Sequence, residues 1–275
     1  MDVQVIGLCR FSVLCKGGFK KAHDWPERKR MLYETGRLER RFAWFEHLCL
    51  PSVRAQTDPD FTLIVLTGLD LPEWAMARLR ALIADVPQVR LRVVAPGFHK
   101  PLCLEAFRSV RDPAARRVAE FWLDDDDAVG RDFVASLRVE VARLPEDQPL
   151  PSAVQFPQGY FLSLEAGTPR VLAVERYGVA AGSAVVFAPD ASKCVMHFPH
   201  HRLREEMPCT VVKSAPMFVR GVHPENDSVV RVDQARFWPA PSEVFATRFG
   251  VDLAAFASAV AAAPAPPAQL DNSEA

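Results

Sequence analysis

Apolar positions run almost unbroken through residues 3–8, 61–66 and 91–95, and polar or turn-forming residues bound each run. Short runs of that kind predict strands covered on both faces. Between the first two, Leu38, Phe42, Phe45 and Cys49 recur at helical spacing over residues 37–50, with Pro51 expected to stop the helix. Residues 16–30 are mostly polar and read as a loop, and residues 56–60 as a turn. Asp70 is the expected N-cap of a helix that turns Leu79, Leu82 and Ile83 inward. Strand, helix, strand, helix, strand is the order of a parallel sheet with helices on both faces. Ligands of such sheets bind beyond the carboxyl ends of the strands.

The second half changes character. Runs at 154–164, 171–177 and 184–188, separated by Gly-containing turns, predict an antiparallel addition to the first sheet. Weak helical signal at 190–197 and 201–206 precedes strand signal at 210–212 and 217–219. From Ser258 the chain is Ala and Pro with a polar end. That composition predicts one α/β domain over residues 1–257 and a disordered tail over 258–275.

Composition narrows the function. Of 275 residues, 49% are hydrophobic and 24% charged, enough to bury a sizeable core. The 33 basic and 34 acidic residues leave a net charge of −1, which argues against nucleic acid as a partner. No window of 18 uncharged apolar residues marks a transmembrane segment, and the N-terminus lacks the features of a signal peptide. Six scattered cysteines without a CxxC pair read as buried thiols of a reducing compartment, so a cytoplasmic location is expected.

The most informative stretch is Phe121-Trp122-Leu123 running straight into Asp124-Asp125-Asp126-Asp127, with a helix expected over 131–144. Four like charges at the end of a buried strand need something positive beside them. A hard divalent cation, Mn²⁺ or Mg²⁺, suits carboxylate oxygens. In extended backbone alternate side chains share a face, so Asp124 and Asp126 are expected to point one way and Asp125 and Asp127 the other. An Asp-x-Asp pair then offers two oxygens to one ion. The competing reading is a solvated acidic loop that caps the next helix.

Three blocks resemble a known family: Arg10-Phe11-Ser12 at the end of the first strand; Arg41-Phe42 through Leu50-Pro51-Ser52 to Ala55-Gln56-Thr57-Asp58-Pro59-Asp60-Phe61; and Leu123-Asp124-Asp125-Asp126-Asp127-Ala128. Together they are similar to the bacterial rhamnosyltransferases, which are nucleotide-sugar glycosyltransferases of the GT-A fold. The likeness extends to about residue 240. It implies a mixed β-sheet flanked by helices and metal-dependent transfer of a sugar, rhamnose by the family label, from a nucleoside diphosphate donor to a hydroxyl of a glycan or lipid-linked acceptor. It also leaves room for peripheral association with a membrane. On that pattern Asp124 and Asp126 hold the metal and His223, after the apolar run ending at Gly221, is a third ligand; an ordinary loop histidine is the other reading of His223.

Arg10, at the end of the first strand, either contacts the nucleotide or pairs with a nearby Asp. Asp125 and Asp127 are assigned with it to the donor side. His197, His200 and His201 precede Glu205 and Glu206. Their spacing and the intervening Pro199 do not suit structural zinc. A loop in which His201 or Glu205 deprotonates the acceptor is one reading, and a polar surface turn the other. Two other classes share the carboxylates: a metal-dependent nucleotidyltransferase or phosphohydrolase, and a non-catalytic sugar-nucleotide binder. For the former, Lys16-Gly17-Gly18 lacks the phosphate-loop pattern.

Overall fold

Strands buried on both faces must find their hydrogen-bond partners in one another. A computed structural model describes residues 2–17, 24–226 and 236–265. In chain order the first half forms β1 (Val3–Phe11), β2 (Cys15–Lys16), α1 (Trp25–Leu32), α2 (Thr35–Trp44), α3 (Leu50–Arg54), β3 (Thr62–Gly68), α4 (Glu73–Ile83), β4 (Val89–Val94), β5 (Gly97–Phe98), α5 (His99–Arg108) and β6 (Arg117–Trp122). The second half adds β7 (Asp127–Val129), α6 (Phe133–Arg143), β8 (Ser152–Gln155), β9 (Gln158–Glu165), β10 (Thr168–Glu175), β11 (Ser183–Phe187), α7 (Leu203–Glu206), β12 (Cys209–Val211), β13 (Phe218–Gly221), β14 (Trp238–Pro239), α8 (Ser242–Phe249) and α9 (Leu253–Ala262).

Seven strands make the main sheet, in the order β12-β8-β11-β6-β1-β3-β4. Only β11 runs against its neighbours, so the carboxyl ends of the other six share one edge. This is the mixed sheet flanked by helices expected of a GT-A-like domain. Alternate residues of β1 serve its two faces. Val5, Cys9 and Phe11 join Phe42 and Phe45, Leu79 of α4 and Phe133 of α6. Ile6 and Leu8 face Phe107 of α5 and the segment around Val195. Between them, Gly7 has no room for a side chain, because a Cβ there would stand 2.3 Å from Cζ of Phe121.

Several local expectations are corrected. The run 154–164 breaks at Pro157, which has no N–H to continue a ladder. The chain there leaves the main sheet, and β9 and β10 build a second one in the order β14-β10-β9-β13-β7. Within the expected loop 16–30, α1 forms because Asp24 accepts the Glu27 N–H at 2.8 Å and Pro26 sits in the first turn; residues 18–23, including Gly18, lie outside the described residues. Pro51 does not end the helical run. A single π-helical turn, Phe45–Cys49, widens the spiral, and Pro51 falls in the first turn of α3, where an N–H is not required. Asp70 caps nothing; it pairs with Lys29 at 3.0 Å, and Pro72 precedes α4. The weak helical signal at 190–197 amounts to a 3₁₀ turn, Val195–His197.

The tail boundary at 258 is also wrong for the residues described. Asp252 caps α9, accepting the Ala254 N–H at 2.9 Å, and the helix runs through Ser258 to Ala262 with Phe256 fully buried. Alanine is the strongest helix former, so an Ala-rich run needs only a cap and one apolar anchor to order. Residues 266–275 lie outside the described residues.

Candidate functional site

The parallel pairing of β1 and β6 sets Leu8 opposite Trp122, so Arg10 and Asp124 emerge together at the carboxyl edge. Arg10 Nη2 donates to Asp124 Oδ1 at 3.1 Å, and its Nη1 donates to His99 Nε2 at 3.3 Å. Arg10 and Asp124 thus form an ion pair. His99, the first residue of α5, is a site residue that sequence reasoning missed. Burial first, then the Arg10 guanidinium, push its pKa down to about 4, so it is neutral at physiological pH.

The aspartates do not lie in extended backbone. The Asp127 N–H closes a turn on the Asp124 carbonyl at 3.0 Å, and Asp127 opens β7, where it pairs with Arg220 of β13. Alternation consequently fails. Asp124, Asp126 and Asp127 each present an oxygen, all within 4.8 Å of one another. Asp125, 1% exposed, turns inward instead. Its carboxylate meets Arg41 of α2, whose Nε donates to Oδ2 at 2.9 Å and whose Nη2 contacts Oδ1. The expected donor-side role of Asp125 is corrected: both its oxygens are taken by a buried guanidinium. Asp127, assigned to the donor side with it, joins the converging carboxylates.

Arg41 also donates from Nη1 to Asp126 Oδ2 at 3.0 Å. The same oxygen accepts from His223 Nε2 at 2.8 Å and from Asn226 Nδ2 at 2.9 Å. His223 Nδ1 accepts the Glu225 N–H at 3.3 Å, which leaves the ring proton on Nε2, facing Asp126. The structure thus brings His223 to Asp126 as a hydrogen-bond donor. Burial alone would raise the Asp126 pKa, but Arg41 and His223 outweigh it and hold the carboxylate well below its usual range. Asp127 shows the reverse. Burial first, then the charges of Asp126 and Asp124, push its carboxyl well above the usual range, with Arg220 and the Gly221 N–H (3.0 Å to Oδ1) offsetting only part.

His201 and Glu205 are not brought to this cluster. Both are exposed, and Glu205 pairs with Arg202 at 3.0 Å. His200 turns inward, its Nδ1 on the Gly178 carbonyl and its ring 6.2 Å from that of Trp122, and His197, also half-buried, accepts the Cys194 N–H on Nδ1 at 3.2 Å. Arg41 lay inside a motif block but carried no signal of its role, since a helical arginine ordinarily reads as surface. Asn226, three residues after His223, gave none either.

As a donor set the turn suits a hard divalent cation. Three carboxylates from one turn supply only oxygens, and Asp127 lacks a full countercharge. Among the described residues no single helix is long and apolar enough to cross a membrane.

No curated relative matches the sequence. Solved structures with a similar course include Staphylococcus aureus TarS 1–349 in complex with UDP-GlcNAc, 6% identical with a TM-score of 0.46, covering 82% of this chain and 60% of that one. Another is WbbM, titled a bifunctional glycosyltransferase, 12% identical with a TM-score of 0.30, covering 74% of this chain and 32% of that one. The chain therefore spans about three fifths of TarS 1–349 and about a third of WbbM. The model of one family, "Putative rhamnosyl transferase", matches residues 4–234, from β1 through the aspartate turn and past His223, and the chain belongs to that family.

Proposed function

We propose that this chain transfers a glycosyl group, rhamnose by the family's description, from a nucleoside diphosphate sugar to a hydroxyl of a glycan or lipid-linked acceptor. The observation that carries the reading is the convergence of Asp124, Asp126 and Asp127 at the carboxyl end of β6, the edge at which parallel sheets bind ligands. These three would hold Mn²⁺ or Mg²⁺. When bound, such an ion stabilises the negative charge that grows on the departing diphosphate. Arg10, held between Asp124 and His99, would bind a phosphate oxygen at that edge. Arg41 fixes the turn by taking both oxygens of Asp125 and one of Asp126, so that the carboxylates are oriented before the donor arrives. We take residues 1–262, through the end of α9, as one catalytic domain.

A screen of nucleotide sugars for hydrolysis and transfer, with Mn²⁺ and with chelator, tests the proposal. One or more donors should turn over with Mn²⁺, and Asp124→Asn should lower the rate about 10²–10³-fold, the usual loss for one preorganised electrostatic contact. Cleavage of a nucleoside triphosphate with release of pyrophosphate would favour a nucleotidyltransferase instead. Tight donor binding without turnover would leave a binding protein.

A further inference from the structure

The consecutive arginines of α2 hold two different loops that meet at Asp126. Arg41 holds the aspartates. Arg40, 8% exposed, faces the other way. Its Nε and Nη2 donate to the two oxygens of Glu225 at 2.8 and 2.7 Å, a bidentate fork. Its Nη1 donates to the main-chain carbonyls of Pro264 at 2.8 Å and Ala265 at 3.2 Å. One guanidinium therefore joins α2, the loop after β13 and the segment after α9. Gly36, one turn earlier on α2, eases the docking: a Cβ there would be a tight contact, 3.3 Å from Cβ of Pro264 and 3.1 Å from Arg40 Nη1. Trp44 at the end of α2 completes the junction, its ring 4.8 Å from that of Phe256 in α9 and 4.9 Å from that of His223.

We infer that Arg40 is a positioning residue for the site, and that residues 264–265 are the strap it fastens. By fixing Glu225 it fixes the loop 223–226, so that the His223 ring and the Asn226 amide both point at Asp126. The chain of contacts is short. Glu225 supplies the N–H that His223 Nδ1 accepts, and that bond selects the tautomer with a proton on Nε2. Without the strap, Nη1 loses two carbonyl acceptors at a site where the guanidinium is largely shielded from water. The role of Asp126 in donor binding rests on the function proposed above; the ordering of the loop does not.

The test is made on the ¹⁵N-labelled protein, through the imidazole nitrogens of His223, before any donor is added. In the wild-type chain they should report one dominant tautomer, protonated on Nε2. Arg40→Lys in the full chain keeps a charge for Glu225 but loses the fork and cannot span to the two carbonyls. A chain ending at Ala262 keeps α9 and loses the strap. Both should fold, as near-UV circular dichroism would record, yet show averaged His223 nitrogens. With the donor found by the screen, KM should rise about tenfold and kcat change less. Unchanged His223 nitrogens in both variants would overturn the inference. Loss of the single tautomer in a protein that turns over no nucleotide sugar would uphold the inference and count against the proposed function alone.

Discussion

Asp126 and Asp127 are neighbours of the same residue type with opposite energetics, and substitution should separate them. Asp126 accepts from Arg41, His223 and Asn226; Asp127 is buried beside like charges. A carboxyl whose folded pKa is raised withdraws stability as pH climbs above its unfolded value, near 4, because the folded state resists ionisation. In metal-free buffer Asp127→Asn should therefore melt above wild type at pH 7, with the gain vanishing below about pH 4. Asp126→Asn should be less stable by about 1–3 kcal/mol and so melt below wild type, since a buried guanidinium loses a charged acceptor. Thermal melts at both pH values check the pair. Equal shifts of one sign would mean the turn behaves as undifferentiated acidic loop. Crowded carboxylates alone suggest that any one of the four can be spared; Arg41 is what makes them unequal.

At the scale of elements, α5 begins at His99 and so sets a neutral imidazole against Arg10 at the carboxyl edge. Burial, the Arg10 charge and the positive end of the helix all oppose protonation there. A histidine depressed from 6.5 to about 4 contributes stability that is whole above pH 6.5 and is lost as pH falls toward 4. His99→Asn should accordingly flatten the stability curve across that window, by up to about 1.4 kcal/mol per pH unit, and leave it unchanged above pH 7. Urea titrations at half-unit steps measure this. An identical slope in wild type and variant would place His99 in solvent. The π-helical turn Phe45–Cys49 works at the same scale. It re-phases the residues that follow, so that Cys49, Leu50 and Val53 share the core face on which Phe42 and Phe45 pack against Phe11 at centroid distances of 4.7 and 5.4 Å.

For the whole molecule, the C-terminal helix belongs to the body of the fold. Phe245, Phe249, Leu253 and Phe256 form a third core with Leu162, Val219 and Trp44, and Val260 packs against it. Ending the chain at Ala257 removes Val260, the last turns of α9 and the carbonyls that Arg40 holds. We expect a cost of about 1–2 kcal/mol, read as a fall of roughly 2–4 °C in melting temperature at this chain length. A melting curve superposable on that of the full chain would show that residues beyond 257 contribute nothing.

Sequence alone determined the parallel half of the main sheet. Runs such as residues 61–66 are apolar on both faces, and only a covered central strand satisfies such a run. It also located the candidate site, because four aspartates after Leu123 sit where a parallel sheet presents its carboxyl edge, and the blocks around them mark the family. What it could not supply was direction. Asp124–Asp127 form a turn, and whether neighbouring side chains diverge or converge there depends on the pairing of β7 with β13, a contact between residues some ninety positions apart. The role of Arg41, the aim of His223 at Asp126 and the docking of residues 264–265 on Arg40 have the same origin. Each is a long-range pairing of polar groups made energetically binding by shared burial, and periodicity along the chain carries no record of which distant groups will be buried together.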